Sequence, residues 1–332
     1  MAEGAPPVAI VGAGPTGIAC AIELGRQGIE AVCYDKGSIL DSIYHFPEEM
    51  VWFSSRDLLD IAGVPFTTPH THPTRLESLA YYRGVAEKFG VNVEPETEVV
   101  EARRSGEGTF SLVLRRRGAR EAARAAAIVI ATGFFHNPKK LDVPGCDLPS
   151  VHVRYVSGFP FHGRRVVVVG GKNSASEAAL DLYRHGATVT MIVRRGAISE
   201  RVKYWIKPDL ENRIRDGAIR AYFHSRVLEV RPDAVLAETP GGEVSIPADA
   251  VFPLLGYAPD FAFLERCGVE LRGDRREPAY DTETLESTVA GVYLAGAVLS
   301  GTETGRIFIE NSRHHAARIA KSIADRRRVV HV

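Results

Sequence analysis

The sequence predicts an α/β chain of two Rossmann-like, three-layer domains, the first of them discontinuous. Three observations predict it. An apolar run ends in a glycine-rich turn twice. Val8-Ala9-Ile10-Val11 leads into Gly12-Ala13-Gly14-Pro15-Thr16-Gly17, and Val166-Val167-Val168-Val169 leads into Gly170-Gly171-Lys172-Asn173-Ser174-Ala175. After each turn come apolar residues at helical spacing, then a second apolar run that ends in charge, at Asp35 in one copy and at Arg194-Arg195 in the other. The separation of first glycine and charge agrees within one residue between the copies. Short apolar runs before a glycine turn are the pattern of parallel strands buried on both faces, and two matches in register mark a duplication.

The elements follow in order. In the first copy Ile18, Ala21, Ile22 and Leu24 form the helix face, Ala31-Val32-Cys33-Tyr34 is the second strand, and Ile128-Val129-Ile130 closes the unit before Ala131-Thr132-Gly133. In the second copy Ala178, Ala179 and Leu182 form the helix face, Thr188–Val193 is the second strand, and Ala250-Val251-Phe252-Pro253-Leu254-Leu255-Gly256 closes the unit. Each copy holds alternating segments before its closing strand, at 97–102 and 110–115 and at 227–230 and 235–237, which read as small antiparallel meanders. Arg115-Arg116-Arg117 is expected in a solvated turn. Val292-Tyr293-Leu294 before Gly296-Ala297 is a last strand, followed by a helix over 307–324 that ends towards Arg326-Arg327-Arg328, where basic residues meet the negative end of the helix dipole. The expected domains are 1–150 with 260–332, and 151–259.

Composition narrows the function. Lys and Arg number 41 and so do Asp and Glu, so no field of one sign draws the chain to nucleic acid or an anionic membrane. No apolar run approaches the ~18 residues of a membrane span. The apolar N-terminal run is the first strand, preceded by Glu3 in place of a basic leader region, so no signal peptide is expected. Cys20, Cys33, Cys146 and Cys267 are scattered, with no Cys-x-x-Cys and no zinc spacing, as expected in a reducing cytoplasm. His70-x-His72 lacks a third ligand, so no metal is expected.

The two turns imply two dinucleotides. Gly12 allows the tight turn, Gly14 lets backbone approach a pyrophosphate, and Gly17 lets the helix that starts at Pro15 pack on its strand. Asp35 stands where a carboxylate accepts from ribose hydroxyls and repels a 2′-phosphate, which fits FAD or NAD. At the second turn the central position is Lys172 and the third is Ala175. Arg194 and Arg195 stand where guanidinium groups pair with a 2′-phosphate, so the expected ligand is NADPH, held also by Gly170, Gly171, Asn173 and Ser174. Ala131, Thr132 and Gly133 are expected at the flavin site, as are Gly296 and Ala297, with the amides of the following helix placed to steady negative charge. The catalytic group is left unassigned. The candidates are Thr16, Cys20, Tyr44 and His315, with His315 or His314 as proton donor to a thiolate.

At these motifs the chain resembles the small two-domain flavoprotein disulfide reductases, the thioredoxin-reductase-like group. It resembles most the bacillithiol disulfide reductase family (YpdA-type) through the 170–175 turn, Val202-Lys203-Tyr204-Trp205-Ile206-Lys207-Pro208-Asp209, Ile307-Phe308-Ile309-Glu310-Asn311, Ser42-Ile43-Tyr44 and Phe53-Ser54-Ser55-Arg56-Asp57-Leu58-Leu59. The resemblance implies an FAD enzyme that uses NADPH to reduce a low-molecular-weight disulfide such as bacillithiol disulfide. It also implies a bacterial cytoplasm and a homo-oligomer, and adds Lys36, Tyr44, Val99, Phe308 and Ile309 to the flavin site. Two departures stand out. The chain lacks the Cys-x-x-Cys of thioredoxin reductases, and Thr16 occupies the slot where the YpdA-type family carries a cysteine. A hydroxyl cannot exchange with a disulfide. Three alternatives therefore stay open: a ferredoxin or flavodoxin reductase with a small redox protein as partner, a flavin monooxygenase, and a redox-sensing protein with negligible turnover.

Overall fold

The computed structural model describes residues 5–106 and 108–330, so Glu3 lies outside the described residues. Two compact units form. The first takes the chain up to His45, then Met50–Asn137, then everything from Tyr257 onward; the second takes Phe46–Glu49 and Pro138–Gly256. The units divide at 137/138 and 256/257, where the sequence reading placed 150/151 and 259/260. Residues 138–150 join the second unit because Leu141, Val143 and Leu148 pack on its core and the Pro144 carbonyl accepts from Val230 N at 2.9 Å.

The first unit is built on a parallel sheet in the order Val292–Leu294, Ile128–Ile130, Val8–Val11, Ala31–Tyr34, Val93–Glu94. Val8–Val11 is buried throughout, as a central strand covered on both faces must be. The helix Pro15–Arg26 begins with proline at its first position, where a missing N–H costs nothing, and buries Ile18, Ala21, Ile22 and Leu24.

The second unit shows its layers in the strand Arg165–Val169. Val166 and Val168 face Ala175, Ala178, Ala179 and Leu182 of the helix Asn173–Arg184. Val167 and Val169 face Val227, Val235, Ala237 and Ile246 of the meander. The period-two alternation of a strand thus builds a helix, sheet and meander sandwich. Its parallel sheet runs Arg220–Phe223, Thr188–Val193, Arg165–Val169, Ala250–Pro253.

Structure and expectation differ in three respects. Each meander has a third strand, Ala119–Ala125 and Gly242–Pro247. Ala119–Ala125 is a largely exposed edge strand without apolar alternation, so pairing with the neighbouring strand overrides a weak local signal; Gly242–Pro247 turns Val244 and Ile246 onto the core, an alternation present in the sequence. Arg115 and Arg116 belong to the strand Phe110–Arg116, where they face Glu98 and Glu94; the turn is at Arg117-Gly118. The C-terminal helix is two pieces, Ile309–Ser312 and His315–Val330, because Arg313 is drawn aside to Asp60 and the Asp57 carbonyl.

Candidate functional site

The first glycine turn closes only with glycine. Gly12 has φ +109, and a β-carbon there would lie 2.6 Å from the Ala131 oxygen. One on Gly17 would lie 2.0 Å from the Gly12 oxygen, so the helix can approach the strand no other way. In front of Gly14 the space is open, with no atom within 4 Å of a β-carbon placed there. No side chain caps the helix, so its first amides and the positive end of its dipole face that space. Such an end suits a phosphate.

Asp35 is held by the same turn. Its Oδ2 accepts from Ala13 N at 2.8 Å and its Oδ1 from Gly37 N at 2.9 Å. Burial raises its pKa, opposed by those two backbone donors. Beside it opens a cleft with a cavity volume of about 140 Å³. Gly12, Asp35, Lys36, Val99, Thr132 and Gly133 line it, so six of the expected residues come together. His136, Asn137, Asp260, Phe263 and Arg266 line it too and were missed. One signal was available: Asp260 caps the short helix Phe261–Arg266 through Phe263 N at 2.9 Å, an Asp-x-x spacing visible in the sequence.

A second group forms around Thr16. A β-carbon on Gly296 would lie 2.9 Å from Thr16 Oγ1, so glycine leaves room for the threonine. Gly296 N donates to His315 Nδ1 at 3.1 Å. Burial pulls the His315 pKa down to about 4, with Arg318 and His314 adding to it. At neutral pH the ring is therefore uncharged, with Nδ1 as acceptor. The structure thus gives His315, read from the sequence as a candidate proton donor to a thiolate, the part of holding the backbone at Gly296. It also corrects Gly296-Ala297 as the lead-in to the C-terminal helix. They open a short turn, Gly296–Ser300, and the Gly296 N–H is already engaged. Tyr44 and Phe308 are exposed, and Ile309 begins the short helix piece.

The second turn repeats the geometry. Gly170 has φ +139, and a β-carbon on it would lie 2.7 Å from the Leu254 oxygen. Gly171 is pressed on Val193 in the same way, at 2.7 Å from Cγ1. Lys172 is exposed at the helix start and leaves the first amides uncapped. Ala175 is buried in the core, a packing residue. Asn173 spends its side chain on the neighbouring loop: Nδ2 donates to the Arg201 carbonyl at 3.0 Å and Oδ1 accepts from Lys203 N at 2.9 Å. Lys203, buried, pairs with Glu177 at 2.5 Å. Arg194 and Arg195 are exposed directly after the strand Thr188–Val193, and neither guanidinium has an ion pair among the described residues.

A family model described as pyridine nucleotide-disulphide oxidoreductase matches residues 9–296, most of the chain. The chain belongs to that family. Among curated proteins it is similar to bacilliredoxin reductase Bdr of Bacillus subtilis (strain 168), with 37% identity over 318 residues, 96% of this chain and 97% of that protein. Among solved structures it is similar to bacillithiol disulfide reductase Bdr (YpdA) from Bacillus cereus, at TM-score 0.94 and 37% identity over 97% of this chain and 100% of that one. The Staphylococcus aureus protein of the same description gives TM-score 0.92 and 33% identity over 97% and 98%.

For a pyridine nucleotide-disulphide oxidoreductase the cysteines matter most. All four are free thiols. Cys20 is fully buried and its pKa is pushed up to about 12 by that burial. This removes it as a redox candidate, since the thiolate is the reactive form. Cys33 is buried and shifted further in the same direction, with its thiol donating to the Gly17 carbonyl at 3.8 Å. Burial pushes Cys267 up to about 11. Cys146 is half-buried in the second unit. Among the described residues of the first unit, no cysteine accompanies Thr16 as an accessible thiol.

Proposed function

We propose that this chain is an FAD-dependent, NADPH-oxidising reductase of a low-molecular-weight disulfide, with bacillithiol disulfide as substrate. The observation that carries the reading is the opposite charge at equivalent places in two copies of one motif. Asp35 ends the second strand of the first unit, and Arg194-Arg195 ends that of the second. A carboxylate there accepts from ribose hydroxyls and repels a 2′-phosphate; a guanidinium pair does the reverse. The relatives' names supply the substrate class.

The residues fit the groups. Gly12, Gly14, Pro15, Thr16 and Gly17 would hold the FAD pyrophosphate, with Asp35 and Lys36 at the ribose, and Val99, Ala131, Thr132 and Gly133 along the cleft. Gly170, Gly171, Lys172 and Ser174 would hold the NADPH phosphates. When bound, the two dinucleotides supply hydride transfer from nicotinamide to flavin and onward. In the balance, NADPH and one proton reduce one disulfide to two thiols. Thr16 offers no thiol to form a mixed disulfide, so the first unit contributes position and exclusion of water in place of a covalent relay. His315 fixes the Gly296 backbone beside Thr16 and gives up no proton at neutral pH. The reading includes self-association and a cytoplasmic location, the latter in keeping with four free cysteines.

The test is anaerobic NADPH oxidation by the flavin-loaded protein, with bacillithiol disulfide added or withheld. The expected result is disulfide-dependent turnover with two thiols formed per NADPH. Flavin reduction with turnover only on ferredoxin or flavodoxin would move the chain to the reductases of those proteins. Flavin reduction with no turnover on any acceptor would leave the sensor reading.

A further inference from the structure

The strand Arg220–Phe223 lies parallel to Thr188–Val193, with Phe223 opposite Val193. Parallel neighbours end at the same edge of a sheet, so the residue after Phe223 arrives beside the residues after Val193. That residue is His224. Its amide donates to the Arg195 carbonyl at 3.1 Å, and Ser225 N donates to the Val193 carbonyl at 3.2 Å. The imidazole lies over the turn that carries the two arginines. A β-carbon on Gly196 would be 2.5 Å from His224 Nε2 and 2.7 Å from Cε1. Glycine at 196 is needed for that room and not for its conformation, since its φ is outside the left-handed region.

Two further features mark the position. His224 has φ +52, a region that a β-carbon disfavours and that Asn or Gly occupies more readily. Its ring is exposed, and neither ring nitrogen has a hydrogen-bond partner among the described residues. A free imidazole therefore stands with two free guanidinium groups at one strand end, where a Rossmann-like domain receives the ribose 2′ substituent. An imidazole N–H donates to a phosphate oxygen whether the ring is neutral or charged.

We propose that His224 is the third member of the 2′-phosphate site, donating from its ring to the phosphate and adding to the selection of NADPH over NADH. The inference rests on the NADPH reading of the second unit. Gly196 belongs to the same device as the residue that lets the ring lie over Arg194-Arg195.

Calorimetric binding to the full-length, flavin-loaded protein tests it, with 2′,5′-ADP and 5′-AMP as probes that differ by the phosphate alone. Wild-type protein is expected to bind 2′,5′-ADP more tightly than 5′-AMP. Equal binding overturns the NADPH reading itself, and with it the inference. His224→Asn and His224→Gly both suit the backbone, so neither strains the fold. Each is expected to weaken 2′,5′-ADP by about tenfold, as for loss of a hydrogen bond to a charged group, with 5′-AMP within about twofold. Gly196→Ala is expected to do the same by displacing the ring. If wild type discriminates and the variants discriminate equally well, His224 has no part in the site. If the variants weaken both probes alike, the residue only shapes the turn, and the inference falls as well.

Discussion

His315→Leu removes the only partner that the Gly296 amide has among the described residues. A buried N–H left without its acceptor costs about 2 kcal/mol, within a range of roughly 1–3. In a unit of about 200 residues, that lowers Tm by roughly 4–8 °C at neutral pH. The effect should also depend on pH, with a definite sign. The folded-state pKa of about 4 lies below the ordinary histidine value of 6.5, so the folded state resists a proton that the unfolded chain accepts. The ring is the first residue of the helix His315–Val330, where the dipole also opposes positive charge. The stability tied to the neutral ring is therefore full above pH 6.5 and is lost as pH falls towards 4. The loss runs at about 1.4 kcal/mol per pH unit, or ~2 kcal/mol between 6.5 and 5.0. Leucine does not titrate, so the gap between wild type and His315→Leu should close almost completely by pH 5. His315→Asn, whose Oδ1 can take the place of Nδ1, should match wild type at pH 7 and lack the acid slope. Differential scanning calorimetry at pH 7.0, 6.0 and 5.0 reads all three proteins. A gap that stays constant across that range would refute the assignment of a buried, neutral acceptor.

Two further outcomes follow from the same geometry. Iodoacetamide on the native protein should modify Cys146 alone, because burial holds the other three thiols protonated and out of reach; NADPH-driven flavin reduction should survive the treatment within about twofold. Peptide mass spectrometry showing alkylated Cys20 together with lost activity would reverse that account. Asp35→Ala should yield protein with at least about tenfold less flavin by absorbance ratio, since it removes the ribose acceptor and strands the Ala13 and Gly37 amides; full flavin content in that variant would show that Asp35 is not part of the site.

Much of this was legible because the signals are local and repeated. The strand, turn and helix of each copy follow from apolar runs, glycines and a proline, and Asp35, Arg194 and Arg195 lie where counting from the glycines places them. What escaped the sequence depends on the third dimension. Ala119–Ala125 is alanine-rich and exposed, so only its pairing with Phe110–Arg116 makes it a strand. The break in the C-terminal helix depends on Arg313 finding Asp60 across a long stretch of chain. Asn173 looked like a phosphate ligand by position, yet its amide closes on a loop about thirty residues away. Cys20 stands four residues after Thr16 in the sequence, and only burial shows that its thiol is held protonated. His224 carries no motif at all; the parallel pairing of two strands brings it to the arginines.

The central claim is that this oxidoreductase stores electrons on its flavin alone, with no protein disulfide as a second store. Anaerobic titration of the oxidised, flavin-loaded protein with NADPH tests it most directly. The account predicts complete reduction at one NADPH per flavin, with the free-thiol count unchanged. An endpoint at two NADPH per flavin, with two new thiols appearing, would contradict it and place a redox-active disulfide where the structure has Thr16 and buried cysteines.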